Sequence, residues 1–212
     1  VEFYNLSLDA TPEHAAAILI VRNYLDKEVG GTLFSELKQL TWDTKYKCPR
    51  RGRVLNKHAR SNLVILDGVS QKASYEDGKG TIIDGDTIPV FKKIKAEMTT
   101  LLNQASFTDK ADNLVCEGNQ YSNPSACGIG YHGDAERRKV IALRLGNTMP
   151  LHYQWFHKCK PIGNTYEFNL HHGDLYIMSE KAVGSDWRFS SKYTLRHAAG
   201  ATGSKYLSLE KY

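Results

Sequence analysis

The spacing of apolar residues divides the chain into two parts. Over 12–40, "PEHAAAILIVRNYL" and "EVGGTLFSELKQL" repeat apolar residues at three and four, which predicts helix. Thr11-Pro12 supplies the cap and first-turn pair, and Gly30-Gly31 is expected to interrupt the run. A second amphipathic helix is predicted over 88–105, with Val90, Ile94, Met98 and Leu101/Leu102 on one face. Residues 68–86, rich in Gly, Ser and Asp, read as a loop. From about 113 the pattern becomes that of short strands: "NLVCEGNQY", "KVIALRLG", "PLHYQWF", "TYEFNL", "GDLYIM", "KYTLRHA" and "KYLSLE". Many strands with no helices between them imply a sandwich or barrel. The expected fold class is α+β: a double-stranded β-helix (jelly-roll) core with N-terminal helices packed on the outside. The expected division of this single domain is 1–106, helical, and 107–212, the core.

Composition narrows the class without choosing within it. The chain has 212 residues, 41% of them hydrophobic and 24% charged, enough for one domain with a sizeable core. No apolar run approaches a membrane span, so no membrane partner is expected. No secretory signal is visible, although the chain begins at Val1 rather than Met. Cys48, Cys116, Cys127 and Cys159 are scattered and read as reduced thiols of an intracellular, cytoplasmic or nuclear, protein. A monomer is favoured. The net charge of +5 is unevenly spread: Lys45, Lys47, Arg50, Arg51, Arg53, Lys57 and Arg60 crowd into sixteen residues without an acid. That stretch is either a solvated basic loop or a surface for phosphates.

The candidate chemistry lies in a repeated triplet. His-Gly-Asp occurs at 132–134 in "YHGD" and at 172–174 in "HHGD". A mononuclear oxygenase iron takes two His and one carboxylate on one face, leaving positions open for co-substrate and oxygen. Spacing distinguishes the two. His197 follows His132 by 65 residues, room for about five strands, but follows Asp174 by only 23. The first triplet with His197 is therefore the expected site, and Gly173-Asp174 is expected to be a turn feeding a strand. Lys205, eight residues past His197, is placed to meet the distal carboxylate of a keto-acid co-substrate, and Lys211 follows six later. His152 and His157, among aromatic residues, read as strand-face or core positions, and Glu136 as an ion-pair partner of Arg137 or Arg138 or a substrate contact.

With these features the sequence resembles the AlkB-like iron(II)/2-oxoglutarate dioxygenases over most of its length. "NLVCEGNQYSNPSACGIGYHGDAER" looks like that family's Asn-x-Tyr strand and His-x-Asp segment, and "GDLYIM" like its later Gly-Asp strand. "GRVLNKHARSN" at 52–62 resembles its nucleotide-recognition segment. The resemblance implies Fe(II) on His132, Asp134 and His197, and 2-oxoglutarate on Asn119, Tyr121, Lys205 and Lys211, with O2 as the second co-substrate. It implies a DNA or RNA base as substrate, bound through Arg50, Arg51, Arg53, Lys57, Arg60 and Glu136, and hydroxylated or oxidatively dealkylated. The family's Arg-x5-Arg end motif is here Lys205 and Lys211, with Arg196 or Lys192 as the fallback cation, and Ala135-Glu136 replaces the acidic pair after His-x-Asp. Those departures keep open a hydroxylase of a protein side chain or small molecule on the same scaffold, and a binding module without iron.

Overall fold

The computed structural model describes residues 1–9, 11–106 and 108–212. In chain order it contains β1 (Glu2–Asn5), β2 (Ala17–Val21), α1 (Lys27–Lys38), β3 (Lys45–Cys48), β4 (Arg53–Asn56), β5 (Ser61–Leu66) and β6 (Ile82–Asp84). Then follow α2 (Pro89–Ser106), β7 (Cys116–Gln120), β8 (Gly128–His132), β9 (Val140–Leu143), β10 (Met149–His157), β11 (Lys160–Leu170), β12 (Leu175–Met178), α3 (Glu180–Val183) and β13 (Thr194–Gly200). The chain falls into two compact units: Val1–Gly31 with Asn123–Tyr212, and Thr32–Ser122. These boundaries differ from the expected division at 106/107, which abuts Phe107, outside the described residues.

The larger unit holds two four-stranded antiparallel sheets, ordered β1-β2-β12-β9 and β11-β10-β13-β8. They share one core: Ile18, Ile20 and Met178 from the first meet Leu151, Tyr153, Trp155, Phe168 and Leu195 from the second. The α+β class holds. The second unit contains the hairpin β3-β4 and the sheet β6-β5-β7, in which β5 and β6 run parallel.

Several expectations are corrected. Residues 17–21 form a strand, not a helix. In "AAAILIV" every position is apolar, so the helical and strand periods fit equally, and pairing with β1 and β12 decides. Ile18 and Ile20 are fully buried, and their alternation is that of a strand. Residues 201–212 are turns rather than the strand expected in "KYLSLE". The second amphipathic helix forms at α2, but of its apolar face only Ile94 is buried, and Leu101 is exposed. The remaining six strand segments of the C-terminal half each contain a strand.

Gly30-Gly31 does not interrupt α1 either. A Cβ on Gly30 would stand 2.8 Å from His172 Nε2, so the glycine makes room for the imidazole of the second His-Gly-Asp triplet. His172 Nδ1 in turn accepts the Gly146 N–H at 2.9 Å, which fixes the ring. Gly30→Ala is therefore expected to destabilise the protein despite alanine's higher helix propensity. In a His172→Ala background the same substitution should stabilise by up to about 1 kcal/mol. A double-mutant cycle in urea measures the sign reversal.

Candidate metal centre

The site is positioned by the pairing of β13 with β8. His197 is opposite His132, but the next matched pair is Ala199 with Ile129, so β8 carries one extra residue between them. Such a bulge re-aims the side chains beyond it. It brings His132 onto the face that His197 shares, by strand alternation, with the core residue Leu195. Arg196 and Ala198 fall on the opposite face, where Ala198 packs with Tyr131 and Phe156.

The turn after β8 is tied down independently. A Cβ on Gly133 would lie 2.1 Å from the Gly184 carbonyl oxygen and 2.8 Å from Trp187 Cβ, so only glycine fits there. The next residue, Asp134, donates its backbone N–H to the Val183 carbonyl at 3.0 Å. Both contacts are with the C-terminal end of α3, whose start is capped by Ser179.

His132, Asp134 and His197 consequently converge, with one ligand atom from each lying within 4.8 Å of the others. His132 Nε2 is 3.7 Å from Asp134 Oδ1, and His197 Nε2 is 3.9 Å from Asp134 Oδ2. Donors each about 2.1 Å from one ion stand roughly 3–4 Å apart, so the spacing suits a single cation. His132 Nδ1 lies 2.8 Å from the Gly130 carbonyl and 3.1 Å from that of His197. Carbonyls only accept, so Nδ1 carries the proton and Nε2 offers its lone pair to the site. Burial first, and then the nearby His132 ring, push the His197 pKa down to about 3, which keeps the ring neutral as a ligand must be. Arg137 Nη1 donates to Asp134 Oδ2 at 3.2 Å. Two imidazoles and a carboxylate facing one point is the donor set of a facial metal site.

The second triplet is built differently. Asp174 is buried and accepts from Arg22 Nη1 at 2.6 Å and from the backbone N–H groups of His171 and Asn23. Gly173 adopts φ +86, a turn conformation that only glycine takes readily. Its polar groups are thus consumed in holding a turn.

The other expected residues are placed as follows. Asn119 and Tyr121 belong to the second unit; Asn119 Oδ1 accepts from Arg60 Nε at 2.6 Å. Lys57 Nζ is bonded to Asn62 Oδ1. Arg50 and Arg51 form the tight turn between β3 and β4 and, with Tyr46 and His58, line an open hollow of about 550 Å³; Arg53 opens β4. Glu136 is exposed, and its expected partners pair elsewhere: Arg137 with Asp134, Arg138 Nε with Glu180 at 3.8 Å. Lys205 and Lys211 do not stand on a strand beside His197. Their segment packs Leu207, Leu209 and Tyr212 on the face of β13 opposite to it, and Lys211 Nζ lies 2.9 Å from where a Gly130 Cβ would stand. Arg196 sits on that same face with Cζ 4.2 Å from the Phe156 ring centroid, and Lys192 lies over Phe189. His152 is buried and His157 stacks on Tyr193, as expected of structural positions. Sequence reasoning missed Tyr153, a fully buried phenol opposite His197 in the β10–β13 register, because in "LHYQWF" it reads as one aromatic among several.

Two measurements check this geometry. Titration with Co(II) or Mn(II) should show one site that His132→Ala or Asp134→Ala abolishes and His172→Ala leaves intact. Unfolded histidine takes up a proton near pH 6.5, whereas folded His197 does so only at about 3. Its contribution to stability is therefore fully present above 6.5 and is lost progressively as pH falls through that window, by at most about 1.4 kcal/mol per pH unit. Urea midpoints between pH 7.5 and 4.5 should fall less steeply in His197→Gln than in the parent.

No protein-family model matches the chain. It is 39% identical over 195 residues to "Uncharacterized protein R156" of Acanthamoeba polyphaga mimivirus, an alignment covering 92% of this chain and 73% of that one. At that identity and coverage, the chain belongs to the same family as the mimivirus protein.

Proposed function

We propose that the chain is an iron(II)- and 2-oxoglutarate-dependent dioxygenase, AlkB-like, that hydroxylates or oxidatively dealkylates a nucleic-acid base. The observation that carries this reading is the convergence of His132, Asp134 and His197 inside the larger unit. The two four-stranded antiparallel sheets around one core are compatible with a double-stranded β-helix. When bound, iron(II) with 2-oxoglutarate and O2 supplies oxidation of a C–H bond to an alcohol, with the keto acid converted to succinate and carbon dioxide. An alcohol formed on an N-alkyl carbon breaks down to the free amine and an aldehyde. Burial keeps the His197 ring neutral, and the contacts of His132 Nδ1–H to two carbonyls fix the tautomer that turns its Nε2 lone pair to the site. Arg137 donates to Asp134 Oδ2 and so orients the carboxylate. The basic hairpin supplies Arg50 and Arg51 for phosphates beside its hollow.

One observation favours a protein side chain or small molecule as substrate instead. Lys47, Lys57 and Arg60 are engaged with Glu76, Asn62 and Asn119 within the second unit, which leaves fewer cations of the stretch for phosphates.

Succinate release dependent on iron and 2-oxoglutarate, screened against methylated DNA, methylated RNA and peptides, separates the two. The expected result is stimulation by an oligonucleotide that weakens with added salt and with joint loss of Arg50, Arg51 and Arg53. Stimulation by peptides alone would transfer the activity to the second reading. His132→Ala should reduce turnover to background.

A further inference from the structure

Seven buried polar side-chain atoms of the larger unit have no partner among the described residues. Two of them, Arg196 Nε and Trp187 Nε1, belong to side chains in contact, with Arg196 Cζ 5.5 Å from the indole ring centroid. Both atoms only donate, and a buried donor without an acceptor is costly and rare in folded proteins. Arg196 carries the heavier cost, because its charge is withdrawn from water. Only 5% of the residue is exposed, and no carboxylate pairs with it among the described residues.

The aromatic neighbours account for the charge but not for the donors. Phe156, Trp187 and Tyr212 stand around the guanidinium, with ring centroids 4.2, 5.5 and 5.8 Å from Cζ. Rings attract a cation through their faces, whereas guanidinium N–H bonds lie in the plane of that group and still call for acceptors. A second guanidinium adjoins the same indole: Arg188 Cζ is 5.6 Å from its centroid, and Arg188 is exposed. Asp186, beside Trp187 in sequence, pairs with Lys181 at 2.8 Å, and its other oxygen, also buried, accepts from neither arginine. From Trp187 to Leu209 the chain contains no acid. Two guanidiniums and an indole N–H thus adjoin one another without an anion.

We propose that Arg196, Trp187 and Arg188 form a binding site for a phosphate group, free or carried by a nucleotide. Its oxygens accept from the buried guanidinium and the indole N–H, and Arg188 adds a second positive charge from the solvent side. Two arginines favour a doubly charged phosphate over a singly charged carboxylate. Arg196 stands on the face of β13 opposite to His197, so this anion is no co-substrate of the triad, and the site is independent of the metal reading. Trp187 nevertheless touches the turn that carries Asp134, its Cβ 2.8 Å from where a Gly133 Cβ would stand.

The indole N–H signals in a proton–nitrogen NMR spectrum test the site. The chain has three tryptophans. Trp42 Nε1 donates to the Leu37 carbonyl at 3.0 Å and Trp155 Nε1 to that of Leu6 at 2.8 Å. Only the Trp187 signal, identified by its loss in Trp187→Phe, should therefore move when inorganic phosphate is added at constant ionic strength. Acetate should move it far less. Arg196→Gln should weaken phosphate by about tenfold or more, with partial recovery in Arg196→Lys. Arg188→Gln, a surface change, should weaken it by about two- to fivefold. Unmoved Trp42 and Trp155 signals show that each variant is folded. Tighter binding of a 5′-phosphorylated dinucleotide than of inorganic phosphate assigns the group to a nucleotide; otherwise it is the free ion. A Trp187 signal that phosphate leaves still, an equal response to acetate, or unchanged phosphate affinity in Arg196→Gln overturns the site.

Discussion

The pairing of β13 with β10 on one side and β8 on the other is the constraint on which the rest of the larger unit depends. Every residue of β13 is buried, so the strand has no solvent face on which an error of register could be tolerated. A slip of one residue would send His197 to the outer face and bring Arg196, with its three aromatic neighbours, into the core. The aromatic residues of β10 hold that register from one side: Tyr153 opposite His197, Trp155 opposite Leu195 with its indole N–H donated to the Leu6 carbonyl. The bulge in β8 then corrects from the other side, so that a residue 65 positions away in sequence meets His197 on the same face.

Much of this could be read in the sequence, and the failures have physical reasons. The choice between two identical triplets rested on the chain length needed to return to the same sheet, and that geometric requirement is a property of topology rather than of composition. The first triplet indeed lies beside His197, while the second spends its carboxylate on Arg22 and two backbone groups. Strands with alternating polarity were legible one by one. β2 was not, because an unbroken apolar run carries no phase, and its partners lie at opposite ends of the chain. The continuity of α1 through two glycines was hidden for a similar reason. Gly30 looks like a helix breaker until the imidazole that occupies its missing side chain is located some 140 residues later.

The cations were the least legible feature. Seven in sixteen residues read as one surface, yet their neighbours sort them. Lys47, Lys57 and Arg60 find acceptors within their own unit, and Arg50 and Arg51 are set apart by the tight turn they form. Lys205 and Lys211 follow His197 at a suggestive interval, but interval alone does not fix a side of a sheet. Leu207, Leu209 and Tyr212, which accompany them, have an apolar face to cover, and that face is the outer one.

The contact between Gly133 and Gly184 has a consequence for how the centre is tuned. Two glycines from segments fifty residues apart touch through backbone alone, and the turn that carries Asp134 is thereby fastened to the end of a helix of four residues. The carboxylate is thus aimed by an element that contributes no donor atom to it. Small changes of side chain around 180–187 alter the tilt of α3, and so the bite of the ligand set, without touching a ligand. For a cation held as proposed, affinity would in that sense be adjustable from a distance, by mechanical leverage rather than by replacing donors.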